Sequence, residues 1–122
     1  MSKGQGFSRA ERITRRRDFD RAFREGKRRG GHLLSVCYIP NGLPHARLGI
    51  ALGREWRGAV ARNRAKRLVR EAFRTHKHAI PRGIDLVVLP MTSWGEPGLA
   101  EIAGEIVRLL EERGSRMTRR DK

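Results

Sequence analysis

Residues 60–74, VARNRAKRLVREAFR, hold the densest run of chemically active side chains in the chain, and the chemistry they suit is the gripping of polyanion. Wound as a helix at about 100° per residue, Ala61, Ala65, Leu68, Val69, Ala72 and Phe73 fall on one side. Arg62, Lys66, Arg67, Arg70, Arg74 and Lys77 take the opposite arc with Asn63, and Arg64 flanks the apolar stripe. Glu71 is the only acid in this stretch, so the basic arc must face water, counterions or phosphate. A charged face can be merely solvated, but the whole chain argues otherwise: 28 Lys and Arg against 13 Asp and Glu give a net charge of +15. Nucleic acid is the natural partner of such a balance.

Other chemistries find less support. A metal-dependent nuclease gathers carboxylates around its ions, whereas here they are scattered or sit on the last helix. His76 and His78 are close in sequence but have no evident orienting partner, and a His-x-His at a helix end usually faces solvent. Cys37, the single cysteine, excludes an internal disulfide and cannot alone build a zinc site, which permits a reducing, cytoplasmic setting. No apolar run reaches membrane-spanning length and the first residues lack a signal-peptide core. The alanine-rich stripe of the basic helix suits packing on a sheet better than insertion among lipids.

The elements that must position this face follow from local pattern. Residues 1–12 read as a mobile basic arm, 13–114 as one domain and 115–122 as a basic tail. Thr14 can cap a helix over 15–25, in which Phe19, Ala22 and Phe23 share a side and Gly26 supplies a stop. Those two aromatics suit a core or a stacking surface. Residues 27–31 read as a flexible basic connector. Residues 32–39 read as a strand with Leu34, Val36 and Tyr38 on one face and Leu33, Ser35 and Cys37 on the other, and 47–52 as a second strand. A turn over Pro40, Asn41, Gly42 and Pro44 predicts that the two form an antiparallel hairpin. The apolar run 84–89 fits an interior strand, with Asp85 near its entrance, and Trp94 anchors the loop that follows. Leu99, Ile102, Ala103, Ile106, Val107 and Leu110 predict a core-facing helix over 99–113, with Glu101, Glu105, Glu111 and Glu112 on its exposed side. The order α-β-β-α-β-α points to a small α+β domain with helices packed on a sheet and part of the other sheet face open.

RLGIA at 47–51 followed by AVARNRAKRLVREAFR at 59–74 resembles the signature of the bacterial ribonuclease P protein subunit. RDFDRAFREG at 17–26 resembles the first helix of that family, and 83–90 its later strand; the resemblance covers about residues 10–115. It implies a two-layer sandwich of the ribosomal S5 domain 2-like fold, with a left-handed βαβ crossover around the basic helix. It also implies two partners, a large catalytic RNA and precursor tRNA with its 5′ leader, with no stable protein partner required. Arg57, Arg62, Asn63, Arg64, Lys66, Arg67, Arg70 and Arg74 would then hold the catalytic RNA. Phe19 and Phe23 match the leader-contacting aromatics, with Arg15, Arg16, Cys37 and Arg54 beside them. On this reading no residue of the chain is catalytic or a metal ligand, and Mg²⁺ is bound mainly by the partner RNA.

The sequence departs from the family pattern after the second strand, at Gly53, Arg54 and Glu55, and after the later strand, at Met91 and Thr92, where basic residues are frequent. Leader contacts would then shift toward Arg54, Arg57 and residues 27–29. Two rivals remain: a ribosomal or assembly protein that binds RNA without promoting cleavage, and a DNA-binding module using 59–77 as a recognition helix. The second usually needs a supporting helix and tight turn just before, and here a strand and the 53–58 junction precede it.

Overall fold

The computed structural model describes residues 7–120, with side chains described as far as Glu111. Four strands, β1 (Lys27–Gly30), β2 (Leu34–Pro40), β3 (Arg47–Ile50) and β4 (Ile84–Pro90), form one sheet in the order β1-β2-β4-β3. Three helices accompany it: α1 (Arg16–Glu25), α2 (Ala59–Thr75) and α3 (Leu99–Arg120). The expected mixed α+β architecture is present, with one more strand than the sequence predicts.

The two strands expected to pair as a hairpin are separated. β2 pairs antiparallel with β4, and β3 pairs parallel with β4 on its other side. The reason is burial: Ile84, Leu86 and Val88 point into one core and Val87 into the other, so β4 needs cover on both faces and takes an interior position. The wide loop 41–46 allows it to enter. Asn41 shapes that loop, accepting the Leu43 N–H at 2.7 Å and donating to the His45 carbonyl and to Asp85. β3, α2 and β4 thus form a parallel crossover, which sets the basic helix directly after a strand.

β1 corrects a second expectation. The basic connector pairs antiparallel with β2, Arg28 opposite Cys37 and Gly30 opposite Ser35. Its charged composition hides the strand from local pattern, yet suits an edge that must resist pairing with other chains. Gly26 makes this possible less as a helix stop than by close approach, since a Cβ there would lie 2.7 Å from the Tyr38 carbonyl oxygen.

Helices lie on both sides of the sheet. α2 and α3 cover one face, where Val69, Ala72, Phe73, Ile102, Ile106 and Leu110 meet Leu34, Val36, Leu48, Leu86 and Val88. Burying each large apolar side chain stabilises by about 1.5–3 kcal/mol, which makes this the principal core. α1 lies on the opposite face, where Ala22 packs with Ile13, Cys37, Ile39 and Val87. Arg15 occupies the position before α1 and no side chain caps it, so Thr14 does not have the capping role expected of it.

Two buried acids tie the elements together. Glu105, expected on the exposed side of α3, is 8% exposed and accepts the N–H groups of Leu33 and Leu34 at 2.7 and 3.1 Å. Asp85 is fully buried and accepts two hydrogen bonds from the Arg47 guanidinium at 2.8 and 2.7 Å. Arg47 also reaches Asp18 of α1 at 3.6 Å, so one cation joins β3, β4 and α1. Helix α3 continues beyond the stop expected at Arg113. Residues 1–6 of the expected arm and 121–122 of the expected tail lie outside the described residues.

Candidate RNA interface

Helix α2 presents its small and apolar residues to the core as the periodicity predicts, with Ala65, Val69, Ala72 and Phe73 buried. Its cations do not all face outward. Arg62 turns back over the preceding junction and donates to the carbonyls of Trp56 at 2.8 Å, Gly53 at 3.2 Å and Leu52 at 3.4 Å. Trp56 is itself buried and donates its indole N–H to the Pro90 carbonyl at the end of β4. Arg62 therefore braces the junction that starts the helix, its guanidinium engaged with three carbonyls.

Two more cations of the expected arc are engaged. Arg74 forms a two-point pair with Glu71, at 2.7 and 3.0 Å. That contact draws the Glu71 carboxyl below its usual range. Lys77 pairs with Glu11 at 2.7 Å. Burial pushes the Glu11 carboxyl up, but hydrogen bonds from Lys77 and Ser8 and the Lys77 charge outweigh it and hold the group below its usual value. Arg64 meets Glu96 at 3.4 Å, both well exposed, a pairing that contributes little.

Lys66, Arg67 and Arg70 remain. Among the described residues none of the three is paired with a carboxylate or bonded to a carbonyl. They line, with Asn63, Glu71, Phe7 and Arg12, an open groove of about 400 Å³. The inclusion of Phe7 and Arg12 was not foreseen. Phe7 packs edge-on against Phe73 with centroids 5.6 Å apart, and the Arg12 guanidinium lies 5.0 Å above the Phe7 ring. The segment is pinned by the Ile13 N–H to the Leu48 carbonyl and by the Glu11 carboxylate accepting the Ser8 N–H. The Ser-x-x-Glu spacing of Ser8 and Glu11 was the signal that this part of the supposed mobile arm has a fixed turn.

Arg12 also lines a second groove, of about 670 Å³, with Arg9, Thr14, Arg15, Arg17, Asp18 and Arg47. One arginine thus joins the basic face of α2 to the start of α1. Arg15, Arg16 and Arg17 crowd the amino-terminal end of α1, where the helix dipole disfavours cations and favours an anion. These are the conditions under which a phosphate chain is held.

Beyond them α1 carries the two aromatics. Phe19 is partly buried and lies on the sheet where β3 has Gly49; a Cβ at that glycine would come within 2.8 Å of the ring. Phe23 is 39% exposed, its centroid 6.4 Å from that of Phe19 and its plane tilted 39°. The core and stacking readings divide between them, Phe19 serving mostly the first and Phe23 open to the second. Cys37 is 1% exposed beneath α1, so it forms the floor and offers no contact surface of its own. Burial pushes its thiol above the usual value, partly offset by Arg28, which makes it an inert group. Arg54 and Arg57 are exposed on the junction before α2 and line neither basic groove. Among the described residues no three His, Cys, Asp or Glu side chains stand close enough to hold a metal ion.

A family model described as Ribonuclease P matches residues 7–114. The chain belongs to the ribonuclease P protein family. The ribonuclease P protein component of Thermotoga maritima is 44% identical over 92 residues, covering 75% of this chain and 79% of that relative. That of Methylococcus capsulatus is 39% identical over 119 residues, covering 97% and 89%. Among solved structures, the RNase P protein of Thermotoga maritima superposes with a TM-score of 0.75 at 36% identity, covering 84% of this chain and 96% of the other. The Staphylococcus aureus RNase P protein gives 0.74 at 28% identity, covering 86% and 96%. The sequence resemblance thus holds across both the family signature and the fold, and no helix among the described residues is long and apolar enough to cross a membrane.

Proposed function

We propose that this chain assists the catalytic RNA of ribonuclease P in the endonucleolytic removal of the 5′ leader from precursor tRNA, in the cytoplasm and with no further protein partner required. The observation that carries this reading is the joining of two basic grooves at Arg12. One groove, with Asn63, Lys66, Arg67 and Arg70, suits the folded catalytic RNA; the other, with Arg9, Arg15 and Arg17, lies at the start of α1, the helix that carries Phe23, and suits a single strand. A leader held there would be aligned with RNA held on α2, and that alignment converts binding into a faster reaction.

Among the described residues no three His, Cys, Asp or Glu side chains stand close enough to hold a metal ion, and the Mg²⁺ that would activate water for phosphodiester hydrolysis is assigned to the partner RNA. The protein's part is positioning, leader affinity and relief of phosphate repulsion. Arg62 and Arg74 are assigned supporting roles, and Cys37 the role of floor. Arg54, Arg57 and Arg64 are assigned to the rim of the RNA contact.

The test is cleavage of precursor tRNA by the catalytic RNA at low Mg²⁺, with and without this protein. Stimulation by the protein, fading as Mg²⁺ is raised, is the expected outcome. Absence of stimulation would remove the cleavage role and leave an RNA-binding protein of the assembly class.

A further inference from the structure

We propose that the apolar pocket at the amino-terminal end of α2 seats an unpaired base of the catalytic RNA; this deepens the function proposed above and rests on it. The pocket, about 540 Å³, is built from Trp56, Trp94, Ala61, Ala65, Leu68 and Pro97, a size within the range of small-ligand sites. Trp56 and Trp94 meet edge to face, centroids 5.5 Å apart at 84°. Arg62 fixes the Trp56 carbonyl from below, so the wall is preorganised.

Val60 stands at its mouth and is 81% exposed. Its side chain extends the apolar lining of the slot outward to solvent. Val60 also lines an adjoining shallow groove with Asn63, Arg64 and Arg67, which places cations a short step from the apolar opening. Arg57 and Arg64 flank the pocket itself. Glu96 also lines the rim and meets Arg64 at 3.4 Å, an exposed pair that leaves Arg57 and Arg67 as the cations for phosphate. An apolar slot with those arginines beside it matches a nucleotide, which has a flat ring at one end and a phosphate at the other.

The position selects the source of that nucleotide. Leu68 and Trp94 pack on the α2/α3 side of the sheet, whereas Phe19 packs on the α1 side, so the pocket continues the α2 contact and not the leader groove. The described ends of the chain lie far from it. Phe7 packs on Phe73, fourteen residues along α2 from Ala59, or about 21 Å at 1.5 Å per residue, and Arg120 is about 32 Å along α3 from Leu99.

The test uses Ala59→Phe, which plugs the slot with a neutral ring from an exposed position, and Val60→Gln, which removes apolar surface without bulk. Thermal melting identifies a variant that fails to fold, in which case the other carries the test. Affinity for the catalytic RNA at fixed salt is expected to fall roughly tenfold for Ala59→Phe and less for Val60→Gln, with the salt slope unchanged. Dimethyl sulfate probing is expected to show one unpaired base of that RNA protected by the wild-type protein and exposed with Ala59→Phe. Unchanged affinity and an unchanged footprint would overturn the proposal, as would loss of protection at a leader nucleotide only, or a wild-type dimer abolished by Ala59→Phe with the RNA footprint intact. A wild-type protein that does not bind the catalytic RNA at all would instead sink the parent reading, and the pocket with it.

Discussion

Arg47→Ala is expected to destabilise the protein by about 3–5 kcal/mol, the usual range when one member of a buried ion pair is removed. The Asp85 carboxylate would lose two charge-assisted hydrogen bonds while remaining wholly inside the sheet, with Asn41 as its other partner. Asp85→Ala should cost less, because the Arg47 side chain is 22% exposed and can turn to water or to Asp18. The asymmetry is the informative part. It can be read from the midpoints of urea unfolding, provided the slope of the transition stays constant. Equal losses would mean that the charge of Asp85 is less isolated than its burial implies. Because Arg47 also holds Asp18 of α1, the same variant should loosen the leader side of the molecule before the α2 side.

Phe23→Ala is expected to lower affinity for leader-bearing precursor tRNA by about tenfold to a hundredfold, the worth of one stacked base, while affinity for mature tRNA is unchanged. Its exposure means that little stability is lost. Phe19→Ala should behave differently, costing about 3 kcal/mol of fold stability because the ring fills the space above Gly49. A leader-binding defect in that variant would then follow from a displaced α1. Equal losses for leader-bearing and leaderless substrates with Phe23→Ala would reject the stacking role.

Much of this architecture was legible in the residues. The α2 stripe, the alternation of β2 and the three-and-four spacing in α3 are local periodicities, and each placed most of its apolar side chains in the core; Ala61 and Val107 are only partly buried, and Leu109, outside the expected set, is buried. What escaped was set by tertiary pairing. The separation of β2 from β3 depends on β4 needing cover on both faces, a demand made by residues more than thirty positions later. β1 is a strand only because the β2 edge offers partners to a segment that has no alternation of its own. Glu105 carries the same charge as its neighbours on α3, and only the two N–H groups at the start of β2 draw it inward.

The interface was legible in part for the same reason. A helical wheel says which side of α2 a residue leaves from and nothing about where a long arginine side chain ends. Arg62 leaves on the basic arc and curls onto three carbonyls, while Arg67 and Arg70 do not. Arg12 was invisible because it reaches the α2 face from a segment more than fifty residues away. Family resemblance marks the run from Arg62 to Arg70 as a unit, and the geometry divides that unit into a brace and a contact surface.

The division can be measured through the salt dependence of binding to the catalytic RNA, as the slope of log affinity against log salt concentration. Arg67→Ala with Arg70→Ala is expected to reduce the slope by about two units, roughly one per lost phosphate contact, with stability nearly unchanged. Arg62→Ala is expected to lower the melting temperature and leave the slope as in the wild type. A slope unaffected by loss of Arg67 and Arg70 would show that the basic face of α2 is only solvated, and would contradict the account.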